Sequence, residues 1–172
     1  MIITAAGEGS FKLQVDGVTI VTEGVTEEKS HLRPDIFLRT SAEDKELPDA
    51  HFIIKGPGEY ELKDITITGI PPFTYSIKNE DMKLCMLSSA DQHALDALTN
   101  IDILFIARLP QDNGGSLGHF IRQLNPRIVI ASENAAHPLT KELGLQPEKT
   151  DKVTIKKRDI PGDGTKLICL TA

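Results

Sequence analysis

Residues 52–73 read FIIKGPGEYELKDITITGIPPF. Phe52–Ile54 is a short apolar strand that runs into Gly56-Pro57-Gly58, a composition that turns the chain sharply. Tyr60–Leu62 and Ile65–Ile70 then alternate and pair around Lys63-Asp64 as a hairpin. Toward the N-terminus the strands continue. Met1–Ala5 is a short apolar run, Phe11–Val15 alternates, and Asp16-Gly17 supplies a tight turn before Val18–Thr22. Ile36–Leu38 follows, with the polar segment Arg39–Glu46 behind it. Past Pro71-Pro72 come a strand near Tyr75–Ile77, a turn at Asn79–Asp81 and the strand Lys83–Leu87. From there the pattern changes. Asp91–Thr99 has Leu95 and Leu98 at helical spacing, Ile101–Ala107 is an apolar strand, and Leu117–Leu124 carries one apolar helical face that Pro126 ends. Arg127–Ala131 is apolar on both faces, as a central strand is. A short helix at Leu139–Leu143 stops at Gly144, and Val153–Ile155 and Leu167–Leu170 are strands. A strand-rich first half with an alternating αβ second half predicts a layered α/β domain.

Composition agrees. The 172 residues are 40% hydrophobic and 26% charged, with few aromatics and no Trp, so the core is aliphatic. One domain, residues 1–172, is the expectation for this length. The formal net charge of −6 disfavours a long nucleic-acid surface, and the basic run Lys156-Lys157-Arg158 reads as a solvated strand end. Cys85 and Cys169 sit in apolar runs and read as buried, reduced thiols. The first residues lack the basic-then-apolar order of a signal peptide, and no apolar run reaches membrane-spanning length. A cytoplasmic location, without membrane or nucleic-acid partners, is the expectation.

Three pieces carry a family resemblance: the opening MIITAAGEGSFKLQVDGVTIV, the stretch FIIKGPGEYELKDITITGIPPF, and LNPRIVIA at residues 124–131. Together they resemble the metallo-β-lactamase superfamily, in particular short bacterial hydrolase-like members related to the ascorbate-6-phosphate lactonase branch. The GPGEYE segment is the most specific part. The resemblance implies a compact four-layer αββα sandwich. It also implies a two-metal zinc site, whose His-x-His-x-Asp-His motif follows a strand. Alternate histidines on that tight loop face one cation, the next Asp and His reach a second, and a bridging water is ionised near neutral pH.

Carried over position by position, that motif falls after the strand DIFLRT on Ser41, Glu43, Lys45 and Glu46. The family's next histidine falls on Thr74 and its bridging aspartate on Ser89, with Asp91 close by. Its last histidine falls on Glu133, after IVIAS. None of the seven positions holds histidine or cysteine, and Lys45 places an ammonium where a metal would sit. Zinc, the family's cofactor, is therefore not expected. The five histidines, His31, His51, His93, His119 and His137, are scattered and form no i,i+2 or i,i+4 pair.

Other constellations read as structure. Gly56-Pro57-Gly58 lacks a phosphate-loop context, Ser88-Ser89 lacks the glycines of a nucleophile elbow, and Glu59 and Glu61 share one face of a strand. Asp112-Asn113-Gly114-Gly115 is a loop by composition. Two functions compete. One is a non-catalytic protein that uses the fold to bind a protein partner or a small ligand. The other is a hydrolase in which Glu43, Glu46 and Glu133 hold a hard ion such as Mg²⁺ or Mn²⁺. On the first reading Lys45 pairs with Glu133, Glu46 or both and takes the metal's place, the alternative being three side chains turned to water.

Overall fold

The computed structural model describes residues 1–7, 9–23, 33–43, 47–80, 82–110 and 116–172. Two sheets face each other. The smaller contains β1 (Ile2–Gly7), β2 (Ser10–Val15), β3 (Val18–Thr22), β4 (Ile36–Leu38), β5 (Phe52–Ile54) and β13 (Lys152–Thr154), in the order β13-β1-β2-β3-β4-β5. The larger contains β6 (Gly58–Leu62), β7 (Ile65–Ile70), β8 (Thr74–Asn79), β9 (Met82–Met86), β10 (Ile103–Ile106), β11 (Ile128–Ser132), β12 (Glu148–Thr150) and β14 (Lys166–Leu170). Its order is β12-β14-β11-β10-β9-β8-β7-β6. The helices α1 (Gln92–Ala97), α2 (Leu117–Leu124) and α3 (Glu133–Leu143) complete the described elements, with one turn of 3₁₀ helix at Lys157–Asp159.

The hairpin chemistry holds at residue level. Asp16 and Gly17 both have positive φ (48° and 73°) between β2 and β3, the combination a two-residue turn needs to match the strand twist. In the β6–β7 hairpin Lys63 takes φ 55°. Gly58 pairs with Gly69 across these strands. A Cβ on Gly69 would stand 2.2 Å from the Gly56 carbonyl oxygen, so the GPG turn packs directly on a strand position that only glycine allows.

Alternation sends one face of each sheet inward. Ile3, Leu13, Ile20, Ile36 and Leu38 from the smaller sheet meet Ile67, Ile77, Leu84, Phe105 and Ile130 from the larger. The Phe11 and Phe105 rings touch across this layer at 5.4 Å between centroids. A second apolar layer lies between the larger sheet and the helices, built from Cys85, Leu104, Val129 and Leu167 below and Ala94, Phe120, Ile121 and Leu139 above. Strands buried on both faces explain why Ile103–Ile106 and Ile128–Ala131 are continuously apolar. Cys85 and Cys169 are free thiols within this helix-side layer.

Two elements differ from expectation. The last helix begins at Glu133, not at Leu139: Ser132 caps it by accepting the Ala135 N–H, and Pro138 is carried inside. Pro138 hides the helix in the sequence because a proline so placed removes one ladder hydrogen bond. Strand β12 was not anticipated. Its Glu148-Lys149-Thr150 sequence is a polar edge, and an edge strand exposed on its outer side has no apolar signal to give. The Lys156–Arg158 run is exposed, as expected of it, but it enters the 3₁₀ turn. No helix among the described residues is long and apolar enough to cross a membrane.

Candidate functional site

Parallel strands β9, β10 and β11, and parallel β3 and β4 in the facing sheet, bring their carboxyl ends to one end of the sandwich. Open α/β sheets place ligands there, because the loops leaving the strands diverge around a crevice. A cavity of about 530 Å³ occupies this end. Its wall is apolar at Phe73, Met86, Leu87 and Leu109 and polar at Thr22, Glu23, Thr40, Ser41, Ser88 and Ser89, with Glu43 and Arg108 also lining it.

Glu23, directly after β3, is only 7% exposed. Its Oε2 accepts the backbone N–H groups of Thr40 (3.0 Å) and Ser41 (2.8 Å), and its Oε1 accepts the Ser41 hydroxyl (2.9 Å). Arg39 shapes the same loop from the other side, donating Nε to the Ser41 carbonyl and Nη2 to the Glu43 carbonyl. Tyr75 reaches from β8 in the larger sheet to donate its hydroxyl to the Arg39 carbonyl at 2.6 Å. Burial, reinforced by the charges of Tyr60 and Glu23, raises the pKa of that phenol above its ordinary value, so it stays a donor.

Behind the cavity wall, Thr74 is fully buried. Its Oγ1 accepts the N–H groups of Ser88 (3.1 Å) and Ser89 (3.3 Å) and lies 3.2 Å from the Ser88 hydroxyl. Ser89 donates its hydroxyl to Asp91 Oδ2 at 2.8 Å, while Asp91 Oδ1 caps α1 through the Ala94 N–H. The Ala94 N–H is the main cause holding the Asp91 carboxyl below its usual range. Burial opposes it, and the Ser89 hydroxyl and His93 assist it. At the rim, Arg108 and Glu43 pair at 3.8 Å, each about half exposed.

Of the seven positions carried over from the family motif, Ser41, Glu43 and Ser89 line the cavity, and Thr74 supports it from behind. Glu133 is the exposed first residue of α3 and is not among the lining residues. Lys45 and Glu46 lie outside the described residues, so the Lys45 pairing falls there too, as do His31 and the Asp112–Gly115 loop. His51, His93, His119 and His137 are all exposed, and none lines the cavity. Glu59 and Glu61 are exposed on β6, the edge strand of the larger sheet. Sequence reasoning missed Glu23, Arg108 and Ser88 as cavity residues. The one signal for Glu23 was a charge placed directly after the apolar strand VTIVT.

The donor set fits zinc poorly. Among the described residues no three His, Cys, Asp or Glu side chains gather closely enough to share an ion. The carboxylate buried at the cavity is hydrogen-bonded to three protein donors. A zinc site needs three or four nitrogen, sulfur or carboxylate ligands converging on one point.

No family model and no curated protein sequence matches the chain. Solved structures do. A candidate zinc-dependent hydrolase of the metallo-β-lactamase superfamily from Thermotoga maritima superposes with a TM-score of 0.76 over 99% of this chain and 100% of its own, at 18% identity. A candidate metal-dependent hydrolase from Parabacteroides distasonis gives 0.59 over 82% and 87% of the two chains, at 15% identity. The metallo-β-lactamase fold protein YhfI of Bacillus subtilis gives 0.59 over 82% and 91%, at 10% identity. With its two facing sheets, its helices on the larger one and its cavity at the carboxyl ends of the parallel strands, the chain has the metallo-β-lactamase fold.

Proposed function

We propose that this protein uses the metallo-β-lactamase fold without metal catalysis and acts by binding a small ligand or a protein partner at the cavity between the sheet ends. One observation carries the reading. Where the family motif would put ligands, Ser41, Thr74 and Ser89 are engaged in holding the structure: on Glu23, on the 88–89 backbone and on Asp91. Hydroxyl groups in these roles are poor substitutes for imidazole, and without a metal-lowered water pKa the site has no evident source of hydroxide at neutral pH.

The structural neighbours described as metal-dependent hydrolases favour a second reading, a hydrolase with a carboxylate-held ion. Elemental analysis of the purified protein separates the two. The expected result is no stoichiometric zinc, manganese or magnesium. A panel of lactone, phosphodiester and thioester substrates should show no turnover when each metal is added. About one metal ion per chain, or metal-dependent turnover lost in Glu43→Ala, would establish the hydrolase instead.

A further inference from the structure

The cavity's polar groups are biased toward one kind of ligand. Ser41 directs its hydroxyl proton at Glu23 and Ser89 directs its own at Asp91, so neither donates inward. A serine hydroxyl has one proton and two lone pairs. The charge set into the wall is the Glu23 carboxylate, 7% exposed, whose Oε1 receives, among the described residues, one hydrogen bond, from Ser41. A carboxylate oxygen accepts about two. Among the described residues, the basic groups at the cavity are engaged elsewhere. Arg39 is turned to the carbonyls of Ser41 and Glu43, and Arg108 is half exposed beside Glu43. Phe73, Met86, Leu87 and Leu109 supply the apolar surface. The volume, about 530 Å³, is within the ordinary range for small-molecule sites, roughly 300–1,000 Å³.

We propose that this cavity binds a small organic ammonium ion, its cation on Glu23 Oε1 and its apolar body against Phe73, Leu87 and Leu109. This deepens the metal-free reading above and rests on it. A charged N–H donor satisfies the remaining acceptor capacity of a buried carboxylate, and such charge-assisted bonds are the strong ones in a desolvated site. A carboxylate of the same shape would meet Glu23 with like charge.

The test uses three probes of nearly equal shape on the full chain: 2-phenylethylamine, 2-phenylethanol and phenylacetate. Calorimetric titration should show the amine binding at least about tenfold more tightly than the alcohol, and no measurable binding of phenylacetate. Amide NMR shifts on adding the amine should centre on residues 40–43 and 87–89. Glu23→Gln should bring the amine down to the alcohol's affinity. Because that variant also loosens the 40–41 loop, Arg108→Ala provides a second arm at a half-exposed position. Removing the rim cation should strengthen amine binding, whereas a site for anions would weaken. Equal affinity for amine and alcohol, preference for phenylacetate, or shifts confined to the Glu59–Glu61 face would overturn the proposal. Metal-free protein with no amine preference defeats the ligand class alone, while stoichiometric metal in the same preparation defeats both readings.

Discussion

Thr74 extends the pairing of β8 and β9 past its last ladder rung, Tyr75 opposite Met86, and fixes the turn that follows β9. Its Oγ1 takes the N–H groups of Ser88 and Ser89 while the side chain is fully buried. Thr74→Val keeps the shape and strands both donors, so it should destabilise the protein by about 1–3 kcal/mol, the cost of leaving buried groups unpaired. Thr74→Ser, which keeps the oxygen, should cost less. The comparison of urea midpoints at constant m-value reads both, and equal losses for the two would show that the hydroxyl is not the operative group. The sequence resemblance singles out Thr74 and Ser89, and the structure places Ser89 on the cavity wall and Thr74 behind it. Glu23 is not singled out. Its role depends on β4 lying parallel beside β3, which sets residues 39–41 next to the end of β3, a pairing that no local pattern encodes.

Within single elements, capping and close packing decide where the chain turns. Helix α1 is only six residues long, and Asp91 caps it. Asp91→Ala should cost about 1 kcal/mol. The folded-state pKa of Asp91 lies below its ordinary value. Its ionisation therefore stabilises the fold above the unfolded carboxylate range near pH ~4, and this is lost as pH falls through the depressed folded value. Thermal melts from pH 7 down to pH 3 should accordingly lose less stability in Asp91→Asn than in the parent. Identical pH profiles would remove Asp91 from the acid-sensitive groups. In the β6–β7 hairpin, Gly69→Ala would drive a methyl group into the Gly56 carbonyl. That should cost on the order of 3 kcal/mol, and an unchanged melting temperature would mean that the GPG turn is free to move away. This contact accounts for a stretch that reads so clearly as strand, turn and strand. Helix α3 was half legible for the opposite reason, since its cap at Ser132 lies inside a run that looks like the end of β11.

The two sheets are joined along both sides by very short crossings. Lys55-Gly56-Pro57 carries the chain from β5 to β6, and Asp151 alone separates β12 from β13. Tyr75 adds a hydrogen bond from one sheet to a loop of the other. Alternation predicted most of these strands, and turn residues gave the β2–β3 and β6–β7 hairpins. Pairings between strands that do not follow one another, such as β1 with β13 and β14 between β11 and β12, were not readable from local pattern. β1 pairs with β13, matching Ile2 to Thr154.

The place of β14 between β11 and β12 has a consequence for how the protein comes into being. A ribosome delivers β12 before the strand that β12 must lie against, so β12 emerges with no partner to join, while β13 can already pair with β1. Until residues 166–170 arrive, β11 presents an open apolar edge, the kind of surface that recruits other chains. A nascent chain stalled after residue 160 should therefore be degraded by a low dose of protease, and one extended past residue 172 by a flexible linker should resist it. Equal resistance of the two would mean that the larger sheet closes without its inserted strand. Completion of the larger sheet thus waits on β14, an interior strand that follows the other described strands in the chain, and chaperones have that interval in which to act.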